Sequence, residues 1–165
     1  MILLDTPDAV VVHGPWQETL AVAQERGGAS TLIVDAPYSA QTHTGHNDVT
    51  ENLDRNRLAY DFWSDADVVA FVAAWSSVVH GWCVSLTDDV LGQTWRASYK
   101  RAGRYAFRSV PCVIRGMSVR LTGDGPSSES VYAMVGRPST REYASWGTLP
   151  GYYAGSSRAL AYFLG

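Results

Sequence analysis

The chain has 165 residues, of which 46% are hydrophobic and 18% charged, enough for one domain with a real hydrophobic core. Its net charge of −3 excludes a purely electrostatic nucleic-acid binder, and it contains no run of about 18 apolar residues that would span a bilayer. The N-terminus carries Asp5 and Asp8 without a basic start, so it does not read as a secretory signal.

In chain order, Ala9–His13 is a short β-branched run closed by Gly14 and Pro15. Trp16–Glu25 reads as a helix stopped by Gly27 and Gly28, and Thr31–Val34 as a buried strand that ends at Asp35. The polar stretch Ser39–Asp61 has almost no periodicity and reads as a long loop, of the kind that is functional or mobile. Ser64 followed by Asp67 has the form of a capping box, and behind it Val68, Val69, Phe71, Val72 and Trp75 recur at helical spacing. Gly81–Thr87 reads as a strand, Leu91–Arg104 as an amphipathic helix and Tyr105–Ile114 as a strand. Gly116–Ser130 is a polar loop, and Val131–Val135 a further strand, antiparallel to its neighbour. The text after Pro138 is irregular. This alternation predicts an α/β layer fold and one domain over residues 1–165, with no internal repeats.

Trp63, Trp75, Trp82 and Trp95 lie on these elements and are expected in the core, with Trp16 and Trp146 at the surface. Cys83 and Cys112 sit in apolar stretches without paired or metal-ligand spacing, which reads as two buried thiols in a reducing cytoplasm. Charge is unevenly spread. Met1–Asp67 holds 11 acidic residues against 3 arginines, whereas Arg96–Arg120 holds seven basic residues (Arg96, Lys100, Arg101, Arg104, Arg108, Arg115, Arg120) and no acid. That basic run is either a solvated helix face with a polar loop or a phosphate-facing flank of a cleft, and the charge pattern does not choose.

The most informative segment is Leu32–Ser39, where a hydrophobic strand delivers Asp35, Ala36, Pro37 and Tyr38 at its carboxyl end, the edge at which α/β sheets bind ligands. A carboxylate accepts a hydrogen bond from an exocyclic amino group and orients its nitrogen lone pair, and the Ala36 carbonyl offers a second acceptor. Pro37 fixes its own φ and biases Ala36 toward an extended backbone, while Tyr38 presents a flat ring on which a base stacks. Together they describe a pocket for an aromatic amine.

These residues resemble the Asp-Pro-Pro-Tyr motif of the DNA methyltransferases that modify adenine N6 or cytosine N4, with Ala36 in place of the first proline. The resemblance implies that a flipped base is gripped by Asp35 and the Ala36 carbonyl and stacked on Tyr38. It also implies a Rossmann-like methyltransferase sheet, mostly parallel with one antiparallel strand and with helices on both faces. The strand–helix–strand order of Ala9–Tyr38 is similar to the unit that leads into the motif in the permuted group, where the target-base motif precedes the cofactor motif. Ser39, Thr42, His43, Gly45 and His46 look like a variant found in phage and bacterial relatives. Arg120, Asp124, Gly125, Pro126 and Ser127 fall in the loop where the family places residues that close over the base.

The resemblance implies DNA as substrate, S-adenosylmethionine as methyl donor and a place in restriction-modification or DNA methylation. Yet the Gly-rich turn that binds the donor, commonly Asp-Pro-Phe-x-Gly-x-Gly in this group, does not occur, and Gly123-Asp124-Gly125 is followed by a polar loop, not a helix. The expectation is therefore a target-base section without its cofactor section, completed by a second chain or a homodimer. A degenerate, non-catalytic DNA-binding module is the rival from another class, and an enzyme acting on a free nucleotide is a more distant one. His43 and His46 read as solvated loop residues, as base contacts or, least of all, as metal ligands. Tyr152 and Tyr153 suit base stacking and terminal packing equally. Ser127 and Ser128 lack a nucleophile elbow, which excludes a serine hydrolase.

Overall fold

The computed structural model describes residues 1–44, 60–115, 130–139 and 151–156. At the N-terminus, β1 (Ile2–Asp5) and β2 (Val10–Val12) form an antiparallel ribbon with an irregularity between Ile2 and Leu4. Among the described residues this ribbon stands apart from the main sheet, so the strand expected at Ala9–His13 pairs with its sequence neighbour and does not head a strand–helix–strand unit of that sheet. Closing a loop this short costs little entropy, which favours the local partner.

The next element is α1 (Trp16–Glu25), with the boundaries expected from sequence. Gly27 and Gly28 follow with φ of 84° and 97°, left-handed values that end the helix; their N–H groups return to the Gln24 and Ala23 carbonyls. Then come β3 (Leu32–Asp35) and a helical stretch over residues 40–44, inside what the sequence suggested was loop. The capping box forms as expected and starts α2 (Asp65–Ser76): Ser64 Oγ accepts from Asp67 N–H, and the Asp67 carboxylate accepts from Ser64 N–H at 2.8 Å.

After β4 (Cys83–Thr87), α3 (Asp89–Arg101) begins two residues before Leu91 because Asp88 caps it. It also ends before Arg104, which opens β5 (Arg104–Ala106). The single strand expected over Tyr105–Ile114 is broken at Phe107–Ser109 into β5 and β6 (Val110–Arg115). Both fragments lie along one long strand, β7 (Ser130–Pro138), and β8 (Tyr153–Ser156) adds an edge strand in the region read as irregular.

The sheet order is β3-β4-β7-β6-β8, with β5 beside the second half of β7. The β3–β4 and β6–β8 pairs are parallel, and β7 alone runs against its neighbours β4, β5 and β6. The expected pattern, mostly one direction with one reversed strand, is the one observed. Leu32 and Val34 on β3, Cys83 on β4 and Tyr132 and Met134 on β7 face the core. Val68, Phe71, Val72 and Trp75 of α2 and Leu91, Trp95 and Tyr99 of α3 fill it. Phe71 is the hub: its ring centroid lies 5.2 Å from Trp16, 5.3 Å from Trp63 and 5.8 Å from Trp95. Trp16 is therefore half-buried against the core, contrary to its expected surface position. Gly136 passes under the Tyr99 ring, where a Cβ would stand 3.1 Å from a ring carbon, so a side chain there would force the ring to give by a few tenths of an ångström.

Candidate functional site

The parallel pairing of β3 with β4 sets Asp35 opposite Leu86, and so brings the carboxyl ends of the two strands together. Asp35 leaves β3 exposed to solvent; Ala36 is only 5% exposed, and Pro37 and Tyr38 are half-buried. The Tyr38 hydroxyl donates to Asp35 Oδ1 at 3.2 Å. Burial first, then the charge and hydrogen bond of Asp35, push the Tyr38 phenol well above its ordinary value, so it stays protonated and a donor at neutral pH. A carboxylate has about four lone-pair sites. Accepting from Tyr38 leaves Asp35 capacity for an amino donor.

The segment is held from behind by Asp88. Its Oδ2 accepts from Ser39 N–H at 2.9 Å, Ser39 Oγ at 2.5 Å and Thr42 Oγ1 at 2.7 Å, while Oδ1 accepts from Leu91 N–H at 3.0 Å and caps α3. Burial drives this carboxyl upward, but the hydrogen bonds from Ser39, Thr42 and Leu91 outweigh it and hold the group below the usual carboxylate range. Ser39, expected to touch substrate, is buried and spends its donors on Asp88. Sequence reading missed Asp88 as part of this cluster; its signal was an Asp three residues before an apolar Leu91 at a helix start.

On the other side, Trp63 N–H donates to the Tyr38 carbonyl at 3.0 Å. His43 Nε2 lies 2.7 Å from the Tyr60 carbonyl oxygen, and the His43 ring sits edge-on to Tyr60 and Phe62 at 5.8 and 6.2 Å. Asp35, Ala36, Pro37, Tyr38, Ser39 and His43 are thus brought together, and Tyr60 and Phe62 join them unforeseen. His46, Arg120, Asp124, Pro126 and Ser127 lie outside the described residues, as does Trp146. Of the basic run, Arg104 is internal: it is buried and donates to the carbonyls of Gly81 at 2.8 Å, Ser76 at 3.2 Å and Val79, so it faces no phosphate. Lys100, Arg101 and Arg115 are exposed, as is Arg108.

No group of three histidine, cysteine or carboxylate side chains able to hold a metal occurs among the described residues, and none of their helices is long and apolar enough to cross a membrane. Cys83 and Cys112 are free thiols, both raised by burial. The described residues also do not fit a methyl donor. The three positive-φ glycines, Gly27, Gly28 and Gly103, direct their N–H groups to carbonyls of the helices they terminate, and so cradle nothing. A shallow cleft of about 370 Å³ between α2 and α3, lined by Val69, Ala73, Ser77 and Arg101 among others, shares no residue with the Asp35–Tyr38 segment.

No family model and no curated protein matches the sequence. Solved structures do. The M1.HpyAVI–SAM complex is similar with a TM-score of 0.58 at 12% identity, over 90% of this chain and 68% of that one. A protein of Thermus thermophilus named as a DNA modification methylase follows at a TM-score of 0.47 and 11% identity, over 85% of this chain and 66% of that one. The chain thus spans about two thirds of the length of either. At such low identity the first likeness speaks for architecture: this chain has a methyltransferase-like α/β fold.

Proposed function

We propose that the chain is the target-base section of a DNA methyltransferase acting on an exocyclic amino group, adenine N6 in preference to cytosine N4. One observation carries the reading. Within a methyltransferase-like sheet, Asp35-Ala36-Pro37-Tyr38 stands at the carboxyl end of β3, with an exposed carboxylate bonded to the tyrosine that would stack the base. In this reading Asp35 and the Ala36 carbonyl accept the two amino protons and turn the nitrogen lone pair outward. Tyr38 holds the ring, Pro37 stiffens the backbone, and Ser39 acts through Asp88. His43 borders the same pocket; His46, Arg120, Asp124, Pro126 and Ser127 are proposed to approach the base from outside the described residues.

S-adenosylmethionine is the donor that the resemblance implies and the ligand of the M1.HpyAVI complex. The described residues do not form its site, so we assign them only the work on the base. The donor site belongs to a cofactor section or to a second copy or chain that completes the sheet at β3. The test is tritium transfer from labelled S-adenosylmethionine to unmodified DNA, with this chain alone and with a donor-binding chain supplied. The expected result is incorporation that needs the supplied chain and disappears in Asp35→Ala while the fold, read by circular dichroism, is kept. Incorporation at an unchanged rate in that variant would overturn the assigned roles. The missing Gly-rich turn favours a second reading, a non-catalytic base-binding module or subunit. DNA binding that depends on Asp35, without transfer under any pairing of chains, would select it.

A further inference from the structure

Tyr60 and Phe62 lie beside the candidate pocket with each residue 51% exposed. Large aromatic side chains left half in water next to a polar site are unusual on a well-packed surface and mark contact sites. These two are not loosely hung. Between and behind them the segment is fastened three ways: His43 Nε2 reaches the Tyr60 carbonyl, Trp63 N–H reaches the Tyr38 carbonyl, and the Trp63 ring stacks on Trp95 at 6.1 Å and 22°. The His43 ring meets both aromatics nearly at right angles, at 79° and 64°. Tyr60 is also close enough to Tyr38 to add to the upward push on the Tyr38 phenol. The result is an aromatic surface held beside Tyr38 by His43 and by Trp63 on Trp95.

We infer that Tyr60 and Phe62 form a second stacking shelf, which takes an unpaired nucleobase adjacent to the one held at Asp35–Tyr38. This rests on the amine-pocket reading above and extends it from one base to two. The chemistry favours a nucleobase, because the rings that meet at the shelf among the described residues are Tyr60, Phe62 and the His43 imidazole, and stacking tolerates any base since each has a π-face. A shelf for the neighbour also stabilises the unstacked strand from which the target base has been removed.

The experiment uses a single-stranded oligonucleotide of mixed sequence carrying 2-aminopurine, whose fluorescence is quenched on stacking, titrated with the whole chain. The wild type is expected to quench it. Tyr60→Ala with Phe62→Ala should weaken binding on the order of tenfold to a hundredfold and abolish much of the quench, and Tyr60→Phe should restore it. Because both rings are exposed, the variants should melt as the wild type does. Wild-type affinity and quench in the double variant would overturn the shelf, and if Asp35→Ala and Tyr38→Ala still weakened binding, the amine pocket would survive alone. Loss in the double variant, with Asp35→Ala and Tyr38→Ala unaffected, would support the shelf and remove the amine pocket. Absence of any quench by the wild type would overturn the shelf.

Discussion

Asp88 divides its two oxygens between two elements, one capping α3 and the other holding Ser39 and Thr42 behind the Asp35–Tyr38 segment. Asparagine in its place keeps one acceptor but turns an NH2 toward either Leu91 N–H or the Ser39 donors, so only one element remains satisfied. Because the folded carboxyl lies below its ordinary value, the folded chain takes up that proton less readily than the unfolded chain. The stabilisation is complete above about pH 4, the unfolded carboxyl value, and is lost as pH falls through the lower folded one. Urea unfolding should therefore show Asp88→Asn weaker than wild type at neutral pH, with the gap closing in acid. A gap independent of pH down to about 2.5 would contradict the charged latch. Ser39→Ala, which leaves the helix cap intact, should cost about 2 kcal/mol in urea unfolding and weaken base binding.

At the scale of elements, the clearest sequence signals were local ones, and they placed α1 and the start of α2 correctly because caps and glycine stops act within a few residues. Long-range pairing was not legible: nothing in Tyr105–Ile114 announces that β7 would accept two short strands end to end, or that β2 would turn back to β1. The site divides the same way. Asp35 to Tyr38 are contiguous and readable, whereas Asp88 joins Ser39 from 49 residues away only through the β3–β4 pairing. Arg104 shows how charge misleads when burial is unknown. It sits in a basic run that suits phosphate, yet it joins the end of α2 and the approach to β4 to the first residue of β5 through three carbonyls. Arg104→Ala would leave those carbonyls without this donor and should cost about 3 kcal/mol in denaturant unfolding. Lysine, lacking the guanidinium fork, should recover only part of it. A neutral effect of Arg104→Ala on stability, with a loss of DNA affinity, would return the residue to the phosphate-facing group.

For the molecule as a whole, the decisive feature is where the sheet stops. Parallel strands are normally covered on both faces, yet among the described residues β3 ends the sheet and Ile33, on the face away from Leu32 and Val34, is 76% exposed. The candidate pocket hangs from the carboxyl end of this same strand. An uncovered edge strand with an exposed isoleucine is a template for another chain. In the proposed enzyme that position is where the donor-binding section would dock, so pairing there would both complete the sheet and bring the donor toward Asp35. Without such a section the chain should use the edge on itself. Sedimentation velocity should show association that grows between about 1 and 100 µM, and a single Ile33→Lys substitution, placing a charge on the strand, should shift it toward monomer without lowering the melting temperature. Monomer at every concentration in both forms would mean that β3 needs no neighbour. The case for a partner at this edge would then fall, while the pocket, which stands on Asp35, Tyr38 and Asp88, would remain.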